Sequence, residues 1–352
     1  MASSPINAIV IPDRIPKISV VLSLLNVEKY LVECLDSVIG QTLRDIEIIC
    51  VDGGSTDCTM DILDEYAARD ERLTVIRRVG AGYGEAMNIG IDAACGEYIG
   101  IVEGDDFVGA DMYETLYTKA KEYDLDIAKA DLNRFFGDGE DRVSERDSIT
   151  KGKPIYNMVL DPSSNPKLMN CQIYTWAGIY KRSFLHEYGI RHNTSPGASY
   201  QDNGFWFQTF CFAKRLMFLD FTGYNLRRDN VSSSFYRKDQ MLRICDEYMF
   251  IRGFLTKYPN LEKQFLGMYQ YHKFRNYIFR YNHLAKEFRK PFLERMSREF
   301  SAARKARELD RKVFPVLEWS ALEMIIAHPD GFSRIYGVWY DLLGSKLKQQ
   351  IS

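Results

Sequence analysis

Four apolar segments alternate with helix-like segments over roughly ninety residues, and this alternation restricts the fold more than any other feature of the chain. The apolar segments resemble strands buried on both faces of a sheet, and they are Lys17–Leu25, Ile46–Val51, Leu73–Arg77 and Glu97–Val102. Strands that alternate with helices form parallel sheets through right-handed crossovers. The sequence therefore predicts an α/β fold with a Rossmann-like, mostly parallel sheet flanked by helices.

Polar residues or glycines follow each predicted strand. Asn26 follows the first strand and Asp52 the second, while a glycine run, 80–84, follows the third and an acidic stretch, 103–106, the fourth. Ligands of open parallel sheets bind beyond the carboxyl ends of the strands. We expect these residues to lie along one sheet edge and to form a ligand site there.

The acidic stretch contains Glu103, Asp105 and Asp106 within four residues. Closely spaced carboxylates repel one another, and Mg²⁺ or Mn²⁺, which prefers oxygen ligands, would relieve this repulsion. The alternative is a polar loop in which Asp106 or Asp111 is the N-cap of the next helix. The acidic stretch lies beside Asp52 on the predicted edge, and this position favours the interpretation as a ligand site.

The glycine run has the spacing G-x-G-x-G, with glycines at 80, 82 and 84. It follows the third predicted strand, whereas the dinucleotide-binding fingerprint G-x-G-x-x-G follows the first, and the chain has no G-x-x-x-x-G-K-[ST] motif. A contact between this run and a ligand and a simple turn requirement are equally good explanations.

Asp202 opens a predicted helix whose apolar face includes Phe205, Trp206 and Phe210. As an N-cap, its carboxylate would bind free backbone amides. A carboxylate at the start of a helix beside a pocket is also well placed to act as a general base. Further strands are predicted at 171–180 and 216–221.

Composition limits the class of protein. The 352 residues are 46% hydrophobic and 27% charged, which is typical of a globular protein, and the net charge of -2 gives no reason to expect nucleic acid as a partner. The seven scattered cysteines indicate reduced thiols of a cytoplasmic protein. Because no apolar run reaches the roughly 18 residues needed to span a bilayer, we expect a soluble protein or a peripheral one on the inner face of the cell membrane.

Three regions are predicted. Residues 1–16 form an N-terminal arm, 17–236 the catalytic domain, with halves 17–130 and 131–236, and 237–352 a helical C-terminal region. Aromatic and basic residues interleave in the last region, which suggests either an apolar core face with a solvated basic face or contact with an anionic membrane. The region could also shape an acceptor pocket or form a homodimer.

Five segments in order resemble the inverting nucleotide-sugar glycosyltransferases of family 2, which have the GT-A fold. They are Asn26–Leu31, Asp52–Asp57, Gly82–Gly90, Gly96–Phe107 and Gln201–Asn203. Each segment alone is weak evidence for the resemblance, whereas five segments in this order over about 220 residues are specific evidence. The resemblance implies a GT-A domain that is followed by the helical extension.

The resemblance also implies roles for single residues. Asp52 is similar to the acid that binds the nucleotide base, Asn88 lies beneath the nucleoside, and Glu103 is near the ribose. Asp105 and Asp106 match acids that reach the ribose and the metal, with the ligand undecided between them, and Asp202 matches the catalytic base.

Three further positions belong to the implied donor site, namely Asn26, Gly82 and Arg228. Arg228 lies in the segment 227–234, whose two arginines and several hydroxyls suit a diphosphate, although an ordinary solvated loop explains them nearly as well. His192 is the best-placed histidine for a metal ligand, but a surface histidine is the simpler reading.

The implied activity is metal-dependent transfer of a sugar from a nucleotide-sugar, most often a UDP-sugar, to a hydroxyl of a glycan or lipid-linked saccharide. The variant resembles a subgroup of bacterial capsule and lipopolysaccharide assembly. Met87 stands where the family often has Arg, and Gln201 where it has an acid. The alternatives are a catalytically silent nucleotide-sugar-binding module and a sugar-nucleotide pyrophosphorylase, whose glycine- and arginine-rich signature is absent after the first strand.

Overall fold

The computed structural model describes residues 15–231 and 242–342. The predicted N-terminal arm lies almost wholly outside them, as do residues 232–236 at the end of the predicted catalytic domain. The chain divides into two compact units, with the boundary between Asn230 and Val231. Each unit has its own core.

The first unit is a mixed sheet with flanking helices. Its strands are β1 (Ile18–Leu24), β2 (Ile46–Asp52), β3 (Leu73–Arg77), β4 (Tyr98–Glu103), β5 (Phe107–Val108), β6 (Ile127–Phe136), β7 (Val143–Asp147), β8 (Gly178–Lys181) and β9 (Leu216–Arg227). Its helices are α1 (Glu28–Ile39), α2 (Thr59–Arg69), α3 (Tyr83–Ala93), α4 (Met112–Glu122), α5 (Arg182–Glu187) and α6 (Gln201–Phe212).

The sheet has the strand order β3-β2-β1-β4-β8-β6-β9-β5, with β7 paired to β6. The first four strands are parallel, as predicted, and β8 then joins β4 and β6 in antiparallel register, which makes the whole sheet mixed. The carboxyl ends of β1, β2 and β4 therefore meet at one edge, since Leu24 is in register with Asp52 and Ser23 with Glu103.

β1, β2 and β4 are buried on both faces, which their continuous apolar sequences require, whereas the edge strand β3 is partly exposed. β1 has no residue exposed beyond an intermediate level, and α3 packs on β1 and β2. Gly90 makes this packing close, because a Cβ there would lie 2.2 Å from Cγ1 of Val21. Gly40 ends α1, and its amide donates to the carbonyl of Asp36.

Two predicted strands differ from the structure. The strand expected at 171–180 is limited to β8, because the aromatic residues before it pack as a loop, with Tyr174 against Trp176 and Trp176 against Tyr224. The strand expected at 216–221 continues to Arg227 in β9, across an irregularity in its pairing with β6. The polar second half of β9 lies outside the predicted strand.

The second unit is helical in the part that the structure describes. It contains α7 (Arg243–Leu255), α8 (Pro259–His283), α9 (Lys286–Lys305), α10 (Val316–Ala327) and α11 (Pro329–Leu342). Aromatic side chains of α8 form its core, and Lys273 on the same helix is buried in an ion pair with Glu299, 2.8 Å away. No described helix has the length and apolar character that crossing a membrane requires.

Candidate active site

Asn26 joins the loops after β1 and β2. Its backbone is left-handed at φ 53°, which asparagine tolerates better than most residues. Its amide N–H donates to Oγ of Ser55 at 2.9 Å, and its Oδ1 accepts from the amide of Thr56 at 2.8 Å. Asn26 thus ties together the two loops at the predicted edge.

Asp52 closes the turn that follows β2. It is only 1% exposed, and its carboxylate accepts from the amides of Gly54 at 3.0 Å and Ser55 at 3.1 Å. Gly54 has φ +102°, a conformation that L side chains rarely adopt, so the second glycine of Asp-Gly-Gly is required by the backbone. These contacts place Asp52 on the predicted edge.

The glycine run connects the sheet edge to the acidic stretch. Gly82 is the N-cap of α3, and a Cβ at this position would lie 3.0 Å from backbone atoms of Gly197. The next residue, Tyr83, donates its hydroxyl to Oε1 of Glu103 at 2.7 Å. The run therefore serves close packing and brings a tyrosine to the acidic stretch 103–106, called the acidic turn below.

Asn88 holds the backbone of His192. Its Nδ2 donates to the carbonyl of His192 at 2.9 Å, and its Oδ1 accepts from the amide of the same residue, also at 2.9 Å. Gly84 on the same helix lets the segment with His192 and Asn193 pack closely, because a Cβ there would lie 1.9 Å from the carbonyl oxygen of Asn193. Both polar groups of Asn88 are thus engaged inside the protein.

His192 is buried, so the expectation of a surface histidine is wrong. It is 2% exposed and stacks on Phe205 at a ring distance of 4.3 Å, with Tyr83 edge-on at 5.7 Å. Neither ring nitrogen has a hydrogen-bond partner among the described residues. Burial lowers the pKa of His192 to about 3, which keeps the ring neutral at physiological pH.

Asp106 is an internal residue of the acidic turn. It is 2% exposed, its Oδ1 accepts from the amide of Arg227 at 2.8 Å, and its Oδ2 accepts from the hydroxyl of Tyr224 at 2.7 Å. Burial, and after it the charge of Asp105, raises the pKa of Asp106. Because Asp106 is buried and both of its oxygens accept from the protein, it is poorly placed to bind a metal together with a phosphate.

Asp105 fits a divalent cation better. It is half-buried, and its Oδ2 accepts from Nδ2 of Asn230 at 2.8 Å, while a carboxylate offers about four lone pairs in all. No cluster of three or more His, Cys, Asp or Glu side chains in the described parts of the chain could hold a metal ion. One carboxylate fits Mg²⁺ or Mn²⁺ when substrate phosphates complete the coordination.

Glu103 is the first acid of the acidic turn, and the charge of Asp202 acts on it. Burial raises its pKa to about 8, the hydrogen bond from Tyr83 acts in the opposite direction, and the charges of Asp105 and Asp202 raise the pKa further. Asp202 also contributes to the raised pKa of Tyr83, after burial and Glu103. Asp202 is therefore within electrostatic range of the acidic turn.

Asp202 lies in the first turn of α6 and is not its N-cap, so the capping alternative is wrong. The N-cap is Tyr200, with φ 69°. Oδ1 of Asp202 accepts from Nδ2 of Asn203 at 3.1 Å, and burial raises the pKa of Asp202 from 3.8 to about 6. A half-buried carboxylate with this pKa suits a general base near neutral pH.

Gln201 holds the loop before α6. Its Nε2 donates to the carbonyls of Ser195 at 3.2 Å and Gly197 at 3.1 Å, and its Oε1 accepts from the amide of Ser199 at 2.6 Å. A carboxylate here would face two carbonyl oxygens. The glutamine at the position of the family's acid is therefore explained by this loop.

The segment that begins at Arg227 is built differently from the sequence expectation. Arg227 is 5% exposed and pairs with Glu33 and Asp138, each at 2.8 Å, so it is not a free cation for a diphosphate. Arg228 is half-buried, and its amide donates to the carbonyl of Phe135 at 2.9 Å. Residues 232–234 of this segment lie outside the described residues.

The chain is similar to several known proteins. Residues 19–188 match the family described as Glycosyl transferase family 2. The uncharacterized glycosyltransferase EpsJ of Bacillus subtilis (strain 168) is 32% identical over 224 residues, which cover 62% of this chain and 63% of EpsJ. The chain carries a family 2 glycosyltransferase domain. The resemblance found in the sequence is confirmed.

Two further proteins are similar to this chain. The poly(ribitol-phosphate) beta-glucosyltransferase of Bacillus spizizenii (strain ATCC 23059 / NRRL B-14472 / W23) is 41% identical over 127 residues, or 35% of this chain and 20% of that protein. The chain thus spans less than two thirds of these curated relatives. The structure of S. aureus TarS 1-349 in complex with UDP-GlcNAc has a TM-score of 0.66 at 18% identity and 92% coverage of both chains. This likeness confirms the predicted GT-A fold.

The sequence did not predict that Tyr224, Arg227 and Asn230 contact the acidic turn. It suggested a diphosphate as the partner of the segment that contains Arg227 and Asn230, and it gave Tyr224 no role. The only signal was Gly223-Tyr224-Asn225, where polar residues interrupt an otherwise apolar strand. Such a change of pattern does not show which residues the strand will contact.

Proposed function

We propose that the chain is a metal-dependent inverting glycosyltransferase that moves a sugar from a UDP-sugar to a hydroxyl of a glycan or lipid-linked saccharide, in surface polysaccharide assembly. One observation carries the proposal. Within a family 2 domain, the half-buried carboxylate of Asp202, with its pKa raised to about 6, lies within electrostatic range of Glu103 in the acidic turn. The domain thus contains a candidate base close enough to the proposed donor-binding edge for their charges to interact.

The base is Asp202. It takes the proton from the acceptor hydroxyl as that oxygen attacks the anomeric carbon of the donor, and the bond to the diphosphate breaks in the same displacement. Attack opposite the leaving group inverts the anomeric configuration. Asn203, which donates to Oδ1 of Asp202 at 3.1 Å, orients the carboxylate for this proton transfer.

The donor is held at the sheet edge. Asp105 binds the divalent cation, which when bound neutralises negative charge on the diphosphate. Asp52 is assigned to the nucleotide base, and Asn88 lies in the segment beneath the nucleoside. Glu103, with Tyr83 on its Oε1, is assigned to the ribose. The remaining donor contacts are assigned to Asn26, Gly82 and Arg228. Asp106 was an equal candidate for the metal on sequence and is assigned a supporting role here.

UDP is the nucleotide we favour, because the TarS structure of the same fold is a complex with UDP-GlcNAc. An acceptor of cell-surface polymer type is supported by the relative named poly(ribitol-phosphate) beta-glucosyltransferase. A cytoplasmic location is supported by the seven cysteines, all of which are free thiols. Peripheral membrane contact and a homodimer remain proposals from the C-terminal sequence.

Thermal unfolding with a panel of UDP-, GDP-, CDP- and dTDP-sugars, each with Mn²⁺ and with EDTA, tests this function. A ligand that binds only the folded state raises the unfolding temperature, and at a hundred times its Kd it adds about 2.7 kcal/mol. We expect the largest shift for a UDP-sugar with Mn²⁺. No shift with any of these compounds would overturn the proposed function.

A further inference from the structure

The end of β9 contacts the acidic turn at several points. The Tyr224 hydroxyl, the Arg227 amide and the Asn230 side chain donate to carboxylates of the turn, and Nε of Arg227 donates to the carbonyl of Asp105 at 3.1 Å. The turn itself has one internal backbone bond, from the amide of Asp106 to the carbonyl of Glu103. Much of its shape is thus set from a strand more than a hundred residues later.

The Tyr224 hydroxyl makes two hydrogen bonds to the turn. It donates to Oδ2 of Asp106 at 2.7 Å and accepts from the amide of Glu103 at 3.1 Å. One oxygen atom therefore joins the first and last acids of the turn. Tyr224 is 0% exposed and packs beside Trp176, with ring centroids 6.5 Å apart, so the hydroxyl has a fixed position.

Arg227 fixes the strand end that carries these donors. Its guanidinium pairs with Glu33 on α1 and with Asp138, and it lies over the rings of Tyr30 at 4.5 Å and Phe135 at 4.6 Å. A planar guanidinium held by two carboxylates and two rings has little freedom. The donors from β9 therefore reach the turn from a rigid support.

We propose that Tyr224 is a positioning residue for the donor site, because its hydroxyl sets the turn geometry in which Asp105 faces the metal and the diphosphate. This inference rests on the proposed function. Asp106 then acts through its two hydrogen bonds and does not touch the donor. Partners behind a metal ligand commonly change metal affinity or activity by about 10- to 100-fold when they are lost.

Tyr224→Phe tests this role, because it removes the hydroxyl and keeps the ring. The matched control is Tyr98→Phe. Tyr98 is also buried, at 2% exposed, and its hydroxyl donates to the carbonyls of Ala120 and Leu125, at the opposite end of β4 from the acidic turn. Both variants remove one buried hydroxyl from the same sheet.

The measurement is calorimetric binding of UDP with Mn²⁺ and with EDTA, alongside thermal unfolding of each variant. We expect Tyr224→Phe to weaken UDP binding about 10- to 100-fold in Mn²⁺ and by less than threefold in EDTA, with Tyr98→Phe at the wild-type value in both. A stability loss alone would affect the two buffers equally.

Two results would overturn the inference. In the first, wild-type protein binds UDP more tightly with Mn²⁺, and Tyr224→Phe retains that affinity. In the second, Tyr224→Phe weakens binding equally in Mn²⁺ and EDTA. Wild-type protein that binds no UDP, GDP, CDP or dTDP in either buffer would instead overturn the proposed function, and the inference with it.

Discussion

Asp202→Asn should make the protein more stable at neutral pH. Burial raises the pKa of Asp202 from 3.8 to about 6, so above pH 6 the folded protein carries a charge that the unfolded chain carries at lower cost. The difference corresponds to about 3 kcal/mol. Asparagine keeps an oxygen for the hydrogen bond from Asn203 but loses the charge that favours a helix N-terminus, which costs about 1 kcal/mol. We expect a net gain of about 2 kcal/mol.

The pH dependence gives this prediction its sign. Because the folded pKa is the higher one, the wild-type protein is stabilised by protonation below pH 3.8 and loses that stabilisation as the pH rises through about 6. The advantage of Asp202→Asn should therefore be present at pH 7.5 and mostly gone at pH 4.5. Urea unfolding at both pH values measures it.

Asp246→Asn is the matched control. Asp246 is also a half-buried acid in the first turn of a helix, α7. Its replacement should lower stability by up to about 1 kcal/mol through the helix dipole. If Asp202→Asn is no more stable than wild type at pH 7.5, or if its advantage is the same at pH 4.5, the raised pKa of Asp202 is wrong.

Three further outcomes are expected. The transfer rate kcat/KM should fall about tenfold per pH unit below pH 6, as Asp202 gains its proton, and a flat profile from pH 5 to 8 would count against that base. Asp105→Asn should reduce UDP affinity in Mn²⁺ to the value in EDTA. Calorimetry that still shows an Mn²⁺ effect on the variant would mean that a residue other than Asp105 binds the metal. Gly84→Ala should cost about 2 kcal/mol or more, because its Cβ would lie 1.9 Å from a carbonyl oxygen, whereas Gly253→Ala, with open space around it, should gain about 0.5–1 kcal/mol in urea unfolding.

The parallel half of the fold could be predicted because its information is local. Dense apolar runs mark β1 to β4, and the residues that end them fall on one edge for any parallel sheet. Asn26, Asp52 and Glu103 were found in this way, and the register of β1 with its neighbours places them there. The order of strands and helices along the chain was sufficient to predict where these residues lie.

The contacts around the acidic turn could not be predicted, because they come from distant segments. Tyr224 and Arg227 reach Asp106 from a strand whose polar end has no strong pattern. The N-cap of α6 was missed for a different reason. Tyr200 takes a left-handed backbone, at φ 69°, that tyrosine rarely adopts. Tyr200 is therefore the N-cap, the helix begins at Gln201, and Asp202 lies in its first turn.

His192 shows the same limit for burial. Its neighbours in sequence, Arg191 and Asn193, are polar, which suggests a surface loop. The clamp of Asn88 on its backbone and the ring of Phe205 bury it instead. Nothing local in the sequence encodes a pairing between positions 88 and 192.

The central claim is that Asp202 is the base of an inverting sugar transfer. Wild-type protein and Asp202→Asn are incubated with UDP-sugars and Mn²⁺, with water as the acceptor, and the first sugar released is followed by proton NMR. We predict slow release of UDP and a sugar of inverted anomeric configuration from the wild type, reduced about 10²- to 10⁴-fold in the variant while UDP affinity is kept. Release with retained configuration, or equal release by the variant, would contradict the claim.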